Sequence, residues 1–345
     1  MNILDIHLPI AGIEFNALLL ILIGFCVGVL GGFFGVGGGW IVTPALNIFG
    51  FHMAYAIGTD LANIFGQSIG ATKKHHKMGN VDWKLGTISI VASIVGLELG
   101  SQLIIKLEKI GDVGSVVRWC YLFLMFSLST LMFVDYFKTK KRRTLRGNPE
   151  GADYHERSSL ARRLHKINLP PIISLPVSGI ERVSLWAVLL VFASTGFLSG
   201  FLGVGGGFIR MPALVYLIGV PTAIAVGTDL MSVLASGAYG CFTYAIKGRV
   251  EILAAILMLL GSSVGAQIGA TAVKYVKGYG IRLLFAIMIA FAGLSIALEQ
   301  VYKISGILIY QKAAGILLMG TAASLTLIVI VKLIIEYKKE KKKGT

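Results

Sequence analysis

Charged residues are nearly absent from two long parts of the chain. Residues 15–59 contain no Asp, Glu, Lys or Arg, and residues 183–246 contain only Arg210 and Asp229. A helix needs about 20 mostly apolar residues to cross a hydrocarbon core of about 30 Å. Repeated segments of this kind predict an all-α, polytopic integral membrane protein.

Apolar segments divide the chain into two halves joined by a polar stretch. The predicted divisions are a first transmembrane repeat (1–137), a basic cytoplasmic linker (138–182), a second transmembrane repeat (183–300), and an additional C-terminal transmembrane helix with a basic tail (301–345). The apolar segments fall at 15–34, 40–51, 54–72, 83–105 and 116–136, then at 183–203, 207–219, 222–246, 251–274, 280–298 and 306–335. Segment 40–51 is too short to cross alone, because it spans only about 18 Å at 1.5 Å per residue.

Three motifs occur once in each half. Gly35-Val-Gly-Gly-Gly39 returns at 203–207, Pro44-Ala-Leu46 returns at 212–214, and Gly58-Thr-Asp-Leu61 returns at 227–230. The offset is 168 or 169 residues in every case, which is difficult to obtain by chance. The chain is therefore predicted to consist of two repeats with glycine-interrupted helices.

The number of segments in a repeat decides how the two halves are oriented. Five segments per repeat is an odd number, so the second repeat is expected to be inverted relative to the first. Basic residues at 73–77, in the linker and in the tail 338–343 favour a cytoplasmic position for those parts and an external N-terminus, in a cell (plasma) membrane. If segment 40–51 is instead one arm of a re-entrant hairpin, the repeats become parallel.

Composition supports membrane insertion and explains the charge. The chain is 55% hydrophobic and 14% charged, whereas soluble domains carry about 25% charged residues. The net charge of +15 reflects basic loops and a basic tail, so the expected partner is the lipid bilayer and not nucleic acid. No cofactor or metal is expected, because Cys26, Cys120 and Cys241 lie apart in apolar segments, while His75 and His76 are predicted to be a solvated helix end.

The paired glycine runs are the strongest candidates for a binding site. Unwound backbone inside a membrane is tolerated where it is buried in protein or faces a watery cavity. A short helix that begins after such a break directs free N–H groups and the positive end of its dipole toward the cavity, which favours an anion. Alternatively, the glycines allow close helix packing. The candidate anion-binding residues of the two breaks are Gly37, Gly38, Gly39, Thr43, Gly205, Gly206 and Gly207.

Three charged residues near the breaks extend this candidate site. Arg210 either binds an oxyanion in bidentate fashion or pairs with one of two intramembrane acids, Asp229 or Asp60. These two aspartates match each other between the repeats and are candidates for proton coupling. The alternative for the aspartates is that they cap a helix N-terminus.

Further polar residues fall on the same predicted helices. Asn63 and Gln67 follow the first aspartate at helical spacing, and they either line the anion path or form hydrogen bonds between helices. The corresponding face in the second repeat, with Ser232 and Ser236, is weaker. Glu98 is a third candidate for proton coupling or is simply paired.

The motifs resemble those of the sulfite exporter TauE/SafE family of membrane permeases. The resemblance rests on residues 35–39 with Pro44, on residues 203–207 with Pro212, and on the two Gly-Thr-Asp-Leu motifs, and it covers both halves. It implies a secondary transporter that exports small sulfur-containing anions such as sulfite or organosulfonates, with the breaks and Arg210 near the anion path. The long basic linker and the additional C-terminal helix depart from the family's pattern.

Two other functional classes stay open on the sequence. An anion channel, or a carrier of a different small anion, could use the same glycine breaks. An enzyme is not expected, because the few histidines and dispersed cysteines supply no convergent nucleophile, base or metal set, and no phosphate-binding loop is present. Assembly into a homo-oligomer is not decided by these patterns.

Overall fold

Helices make up most of the chain that the structure describes. The structure is a computed structural model that describes residues 5–108, 113–145, 158–202, 206–276 and 278–343. Over these residues the helices are α1 (Ala17–Phe34), α2 (Gly39–Ile48), α3 (Met53–Lys77), α4 (Trp83–Glu108), α5 (Val113–Leu145), α6 (Ser159–Leu164), α7 (Leu185–Leu202), α8 (Gly207–Ala213), α9 (Thr222–Ile246), α10 (Ile252–Ala272), α11 (Gly278–Ser305) and α12 (Leu308–Lys343). A π-helical turn, Leu214–Ile218, continues α8.

Among the described helices, eight are long and apolar enough to cross a membrane. They are α1, α4, α5, α7, α9, α10, α11 and α12. Polar side chains along α3 lower its mean hydropathy, so α3 is not among the eight although it has 25 residues. Trp83, Trp119 and Trp186 are exposed at or near the starts of three of these helices, as an aromatic belt requires. The prediction of an all-α polytopic membrane protein is confirmed.

One short β-hairpin precedes the first helix of each half. The strands of the two hairpins are β1 (Asp5–Leu8), β2 (Ile13–Asn16), β3 (Ile172–Leu175) and β4 (Ile180–Ser184), paired antiparallel as β1–β2 and β3–β4. The side chain of Asn16 caps α1 by accepting a hydrogen bond from the backbone N–H of Leu19 at 3.1 Å. The second hairpin lies inside the predicted linker, so that part of the linker is folded.

Helix α1 packs along α10 with very little space between the two backbones. A Cβ atom on Gly24 would lie 2.0 Å from the carbonyl oxygen of Met258, and one on Gly32 would lie 2.4 Å from that of Ala266. Only glycine permits this approach, which is the small-residue packing of membrane helices. Residue numbers rise together along the contact, so α1 and α10 run parallel.

The same arrangement joins α7 to α4. A Cβ atom on Gly196 would lie 2.3 Å from the carbonyl oxygen of Ser93, and one on Gly200 would lie 2.1 Å from that of Leu97. These two helices are also parallel. The first helix of each half therefore packs on the fourth helix of the other half, and the two halves interlock.

Helices α3 and α9 pack against each other in opposite directions. A Cβ atom on Gly240 of α9 would lie 2.8 Å from Leu61 Cδ1 of α3. Gly237, which comes earlier in α9, lies beside Phe65, which comes later in α3. These two helices occupy corresponding places in the halves, and they are antiparallel.

Helices α5 and α11 form a second antiparallel pair at corresponding places. The hydroxyl of Ser129 donates to the carbonyl of Ala286 at 3.1 Å. Farther along α5, Oδ2 of Asp135 pairs with Nη1 of Arg282, which lies earlier in α11, at 2.7 Å. Corresponding helices of the two halves thus run in opposite directions at both contacts.

The first glycine break turns the chain back toward the end of the molecule from which α1 came. Helix α1 ends at Gly35, whose φ of 81° is left-handed. After α2, the rings of Phe49 and Phe51 pack on Phe15, just before α1, with centroids 5.9 and 5.8 Å apart. Helices α1 and α2 are therefore the two arms of one hairpin, and together they add no net crossing.

Basic segments gather at one end of the helix bundle. Lys84, at the start of α4, donates to the carbonyl of Ser174 in β3 at 2.9 Å, which places the turn between α3 and α4 beside the folded linker. The end of α1 contacts the end of α3, at the same end of the bundle. Helix α10 runs parallel to α1, so α10 also ends at this end of the bundle. Lys274 after α10 and Glu340 of α12 form an ion pair at 3.3 Å, so the basic tail lies at this end as well.

Candidate functional site

The two glycine breaks meet in the middle of the molecule. A Cβ atom on Gly207 would lie 2.3 Å from the carbonyl oxygen of Val36, and one on Gly35 would lie 2.5 Å from that of Val226. Gly206 precedes α8 with a left-handed φ of 79°. The predicted residues Gly37, Gly38, Gly39, Gly206 and Gly207 are all buried around this contact, whereas Gly205 lies outside the described residues.

Arg210 is buried in the second half and pairs with an acid. It lies in α8, its side chain is 3% exposed, and its Nε is 2.5 Å from Oδ1 of Asp229 in α9. This resolves the choice of pairing partner left open by the sequence. The pair is incompletely satisfied, because within the described part of the chain Nη2 of the guanidinium and Oδ2 of the carboxylate have no hydrogen-bond partner. A buried charged group in this state favours a further polar ligand.

A narrow crevice reaches Arg210 between α4, α7, α8 and α9. The hydroxyl-bearing residues along it are Ser93, Ser199, Ser232, Ser236 and Tyr239, and its other lining residues are Ile90, Ile94, Leu97 and Gly196. The hydroxyls of Ser93 and Ser236 donate to backbone carbonyls, and that of Ser232 is shared with Ser89, so these hydroxyls would have to rotate to donate to a ligand beside the guanidinium. The volume of the crevice is about 10 Å³, room for about one water molecule, so the crevice has to widen before a small anion with several acceptor oxygens can bind.

Two of the crevice serines were missed by sequence reasoning. Ser93 and Ser199 lie in apolar segments where nothing near them marks a site, and Ser232 and Ser236 were predicted only as a weak polar face. The structure brings them together because α4 and α7 pack closely through glycine. A Cβ atom on Gly206 would lie 2.7 Å from Oγ of Ser199, so the second break also contacts this serine.

Asp60 occupies the corresponding position in the first half but has a different neighbour. Its side chain is 1% exposed, and its Oδ2 accepts a hydrogen bond from the hydroxyl of Thr43 in α2 at 2.9 Å. The position equivalent to Arg210 is occupied by Val42, at an offset of 168 residues. In the described part of the chain, Oδ1 of Asp60 has no hydrogen-bond partner.

The predicted polar residues Asn63 and Gln67 lie buried on α3 near Asp60. Oδ1 of Asn63 accepts a hydrogen bond from Ser262 of α10 at 2.6 Å, which is a contact between helices. Among the described residues, the side-chain amide of Gln67 has no partner at either its nitrogen or its oxygen. Its Nε2 approaches the break, since it lies 3.4 Å from the position that a Cβ atom on Gly38 would occupy.

The interpretation of the aspartates as helix caps is wrong. Both lie within their helices, and the threonines before them take the capping role between helices instead. The hydroxyl of Thr59 accepts a hydrogen bond from the backbone N–H of Glu251, and that of Thr228 accepts one from Asp82, each at 3.0 Å. The two Gly-Thr-Asp-Leu motifs therefore tie each half to the start of α10 or α4 of the other half.

Three other residues considered in the sequence lie away from these clusters. Glu98 is exposed on the outer face of α4, where it accepts a hydrogen bond from Gln102 at 3.0 Å, and the structure does not bring it to the buried acids. His76 is exposed, as predicted for a solvated helix end. His75 is fully buried, with Nε2 3.0 Å from the carbonyl oxygen of Gly32, because α1 covers that face of α3.

Comparison with known proteins places these features in a family. The sequence profile described as "Sulfite exporter TauE/SafE" matches residues 20–296. The "Probable membrane transporter protein YunE" of Bacillus subtilis is 24% identical over 83% of this chain and 98% of its own length. A probable membrane transporter protein of Methanocaldococcus jannaschii is 27% identical over 80% of this chain and 93% of its own length. No solved structure matches the chain.

The profile match extends over both glycine breaks, both Gly-Thr-Asp-Leu motifs and Arg210. It ends before α12, so the additional C-terminal helix lies beyond the matched region. The eight candidate membrane spans and the transporter names of the relatives agree with each other. The chain is a multi-pass membrane transporter protein and belongs to the sulfite exporter TauE/SafE family.

Proposed function

We propose that this protein is a secondary carrier, not an enzyme, that exports small sulfur-containing anions such as sulfite or organosulfonates. The observation that carries the proposal is the buried Arg210, which lines a crevice that also carries serine hydroxyls and whose Nη2 has no hydrogen-bond partner in the described structure. An oxyanion that leaves water needs a compensating charge and several hydrogen-bond donors. The guanidinium and the hydroxyls provide both.

Asp229 controls how much of the arginine's charge reaches the anion. In the structure the carboxylate neutralises Arg210 through Nε, while Nη2 has no partner among the described residues and is proposed to take part in recognition of an oxyanion. Protonation of Asp229 releases the full positive charge to the anion. Proton coupling through this residue is therefore part of the proposal.

We further propose alternating access between two inverted repeats. Support comes from the directions of the helices, since α3 and α9, and likewise α5 and α11, are antiparallel, and since α1–α10 and α4–α7 form matching parallel contacts. The Gly207–Val36 contact joins the two breaks and is the natural pivot between the halves. On this proposal the repeats span residues 1–137 and 183–300, and the linker 138–182 and the tail are cytoplasmic in the cell membrane.

Counter-flow of labelled sulfite into proteoliposomes tests the role of Arg210. We expect saturable uptake by the unmodified protein, competed by thiosulfate or sulfonates. Arg210→Ala should weaken apparent affinity about 10- to 100-fold, because a charge-assisted hydrogen bond contributes about 1.5–3 kcal/mol. Arg210→Lys should give an intermediate value, because it keeps the charge and loses the planar fork.

Two controls separate binding from folding. Arg249→Ala removes an exposed arginine in the turn between α9 and α10 and should leave uptake unchanged. The double change Arg210→Ala with Asp229→Asn removes both buried charges together, so it avoids an unpaired carboxylate and should fold while still failing to transport. Unchanged affinity in folded Arg210→Ala would rule out this anion site, and non-saturable conductance without counter-flow would identify a channel.

A further inference from the structure

The two halves differ in how they compensate a buried carboxylate. Asp229 has Arg210 as its ion-pair partner. Asp60 is equally buried, but the position that would supply its cation is occupied by Val42. Within the described residues no Lys, Arg or His forms an ion pair with Asp60. An ionised carboxylate without a counter-charge is strongly disfavoured in such a place, so a cation that enters the site would stabilise ionised Asp60.

The local backbone only partly offsets the charge of Asp60. The start of α2 lies near it, since Oδ1 is 3.5 Å from the position of a Cβ atom on Gly38, the residue before α2. A helix N-terminus contributes roughly half a positive charge. In the described structure, however, no backbone N–H donates to Oδ1, and the C-terminal end of α1 brings carbonyl dipoles of the opposite sign to the same break.

The side chain of Gln67 and the carbonyl of Gly37 lie near Asp60 at the first break. The amide of Gln67 lies near both Asp60 and the carbonyl of Gly37. A Cβ atom on Gly38 would lie 3.4 Å from Nε2 of Gln67 and 3.5 Å from Oδ1 of Asp60. Likewise, a Cβ atom on Gly31 would lie 3.5 Å from Nε2 of Gln67 and 3.0 Å from the carbonyl oxygen of Gly37. Hydrogen bonds decide which end of a glutamine amide faces a neighbour, and Gln67 makes none in the described structure, so its oxygen serves as well as its nitrogen.

We propose that Asp60, Thr43, Gln67 and the carbonyl of Gly37 form a sodium-ion site that couples to anion binding in the other half. Hard cations take oxygen ligands, and carbonyls at broken helices are a recurring source of Na⁺ ligands in transporters. A single carboxylate matches one positive charge, whereas Ca²⁺ or Mg²⁺ would remain undercompensated. The second half offers Arg210 at the equivalent place, so it binds the anion.

A proton would neutralise Asp60 without help and would leave the other donors unexplained. Gln67 is buried with both amide atoms unpartnered in the described structure, and burying an unsatisfied amide is costly. A Na⁺ ion that loses its hydration shell needs such an oxygen as a replacement ligand. The unpartnered amide of Gln67 beside the break and the hydroxyl of Thr43 on the carboxylate therefore favour Na⁺ over H⁺.

Equilibrium binding of ²²Na⁺ to the purified full-length protein tests the site directly. We expect one saturable site, competed by Na⁺ and not by K⁺ or choline at the same concentration. We also expect Na⁺ to raise the melting temperature relative to choline at constant ionic strength and pH, because a ligand that binds only the folded state stabilises it. This second measurement needs no variant, so it holds even where a substitution impairs folding.

Three variants assign the ligands. Asp60→Asn should abolish ²²Na⁺ binding, and Gln67→Leu, which keeps the carboxylate, should weaken it at least about tenfold through loss of one ligand. Glu98→Gln, which removes an exposed carboxylate of α4, is the control and should retain the sodium site. If Gln67→Leu binds Na⁺ as tightly as the unmodified protein, the amide is not a ligand and the site as assigned is wrong.

The coupling rests on the proposed anion transport, whereas the cation site does not. Sulfite counter-flow that requires Na⁺ and loses this requirement in Asp60→Asn supports the coupling. Sulfite uptake that is insensitive to Na⁺ and driven by a pH gradient, together with an absence of ²²Na⁺ binding, overturns the sodium site and leaves the carrier intact. Na⁺ binding without transport of any sulfur anion keeps the site and refutes the anion assignment.

Discussion

One residue position separates the two halves chemically. Arg210 and Val42 correspond in sequence, and this difference gives Asp229 a counter-charge and leaves Asp60 without one in the described structure. Gly35 and Gly207, in the two breaks, are not interchangeable with alanine, because the backbone carbonyls of Val226 and Val36 occupy the space of a side chain. Function at the residue scale thus depends on a charge at one position and on missing Cβ atoms around it.

Gly207→Ala should destabilise the protein. The new Cβ would lie 2.3 Å from the carbonyl oxygen of Val36, so the two breaks would have to separate, at a cost of about 1–3 kcal/mol. Thermal unfolding in detergent measures the effect. Gly320→Ala in α12 is the matched control, because no heavy atom lies within 4 Å of its Cβ position, and it should be neutral or stabilise by up to about 1 kcal/mol. Equal melting temperatures for the two variants would contradict the packing argument.

At the scale of elements, the folded linker holds the short arm of the second half. Helix α8 and its π-helical turn end beside α6, where the Ser158 hydroxyl donates to the carbonyl of Tyr216 and Nε2 of His165 lies 2.9 Å from that of Ile218. These contacts satisfy carbonyls at the end of the arm. The linker is therefore part of the structure that positions Arg210.

His165→Ala should loosen this arm. Loss of one hydrogen bond costs about 0.5–1.5 kcal/mol, so local opening of residues 214–218 should become more frequent by up to about tenfold. Hydrogen–deuterium exchange of peptides covering the arm measures this. Arg162→Ala, which alters an exposed side chain of the same helix, should leave exchange unchanged. Unaltered protection in His165→Ala would show that the linker does not restrain the arm.

For the whole molecule, the arrangement of helices carries a prediction about sidedness. The turn between α3 and α4, the folded linker and the end of α12 lie at one end of the bundle, whereas the first β-hairpin lies at the other, held by hydrogen bonds from the N–H groups of Ile10 and Ala11 to Glu251. The basic end is proposed to face the cytoplasm. Helix α12 connects the two ends.

Cysteine labelling tests this orientation. In a background with Cys26, Cys120 and Cys241 replaced, Lys338→Cys should react with a membrane-impermeant maleimide only from the cytoplasmic side. Ser305→Cys, at the end of α11 and just before the start of α12, should react only from outside. The reverse pattern would invert the topology, and reaction of both from one side would show that α12 does not cross the membrane.

The apolar segments, the motif repetition and the low charge determine by themselves that this is a polytopic helical membrane protein of the TauE/SafE type. Local patterns are enough here, because segment length and hydropathy decide whether a helix enters the bilayer. The same local information also indicated Arg210 and Asp60 as functional candidates, since an intramembrane charge is expensive wherever it lies.

Tertiary structure alone decided which groups meet. The pairing of Arg210 with Asp229, the burial of His75 and the inclusion of Ser93 and Ser199 in the crevice all depend on contacts between helices distant in sequence. The exposure of Glu98 likewise follows from the face of α4 that α7 covers. Periodicity gives the face of a helix but not its neighbour, and the neighbour here is chosen by close backbone packing of glycines from the opposite half.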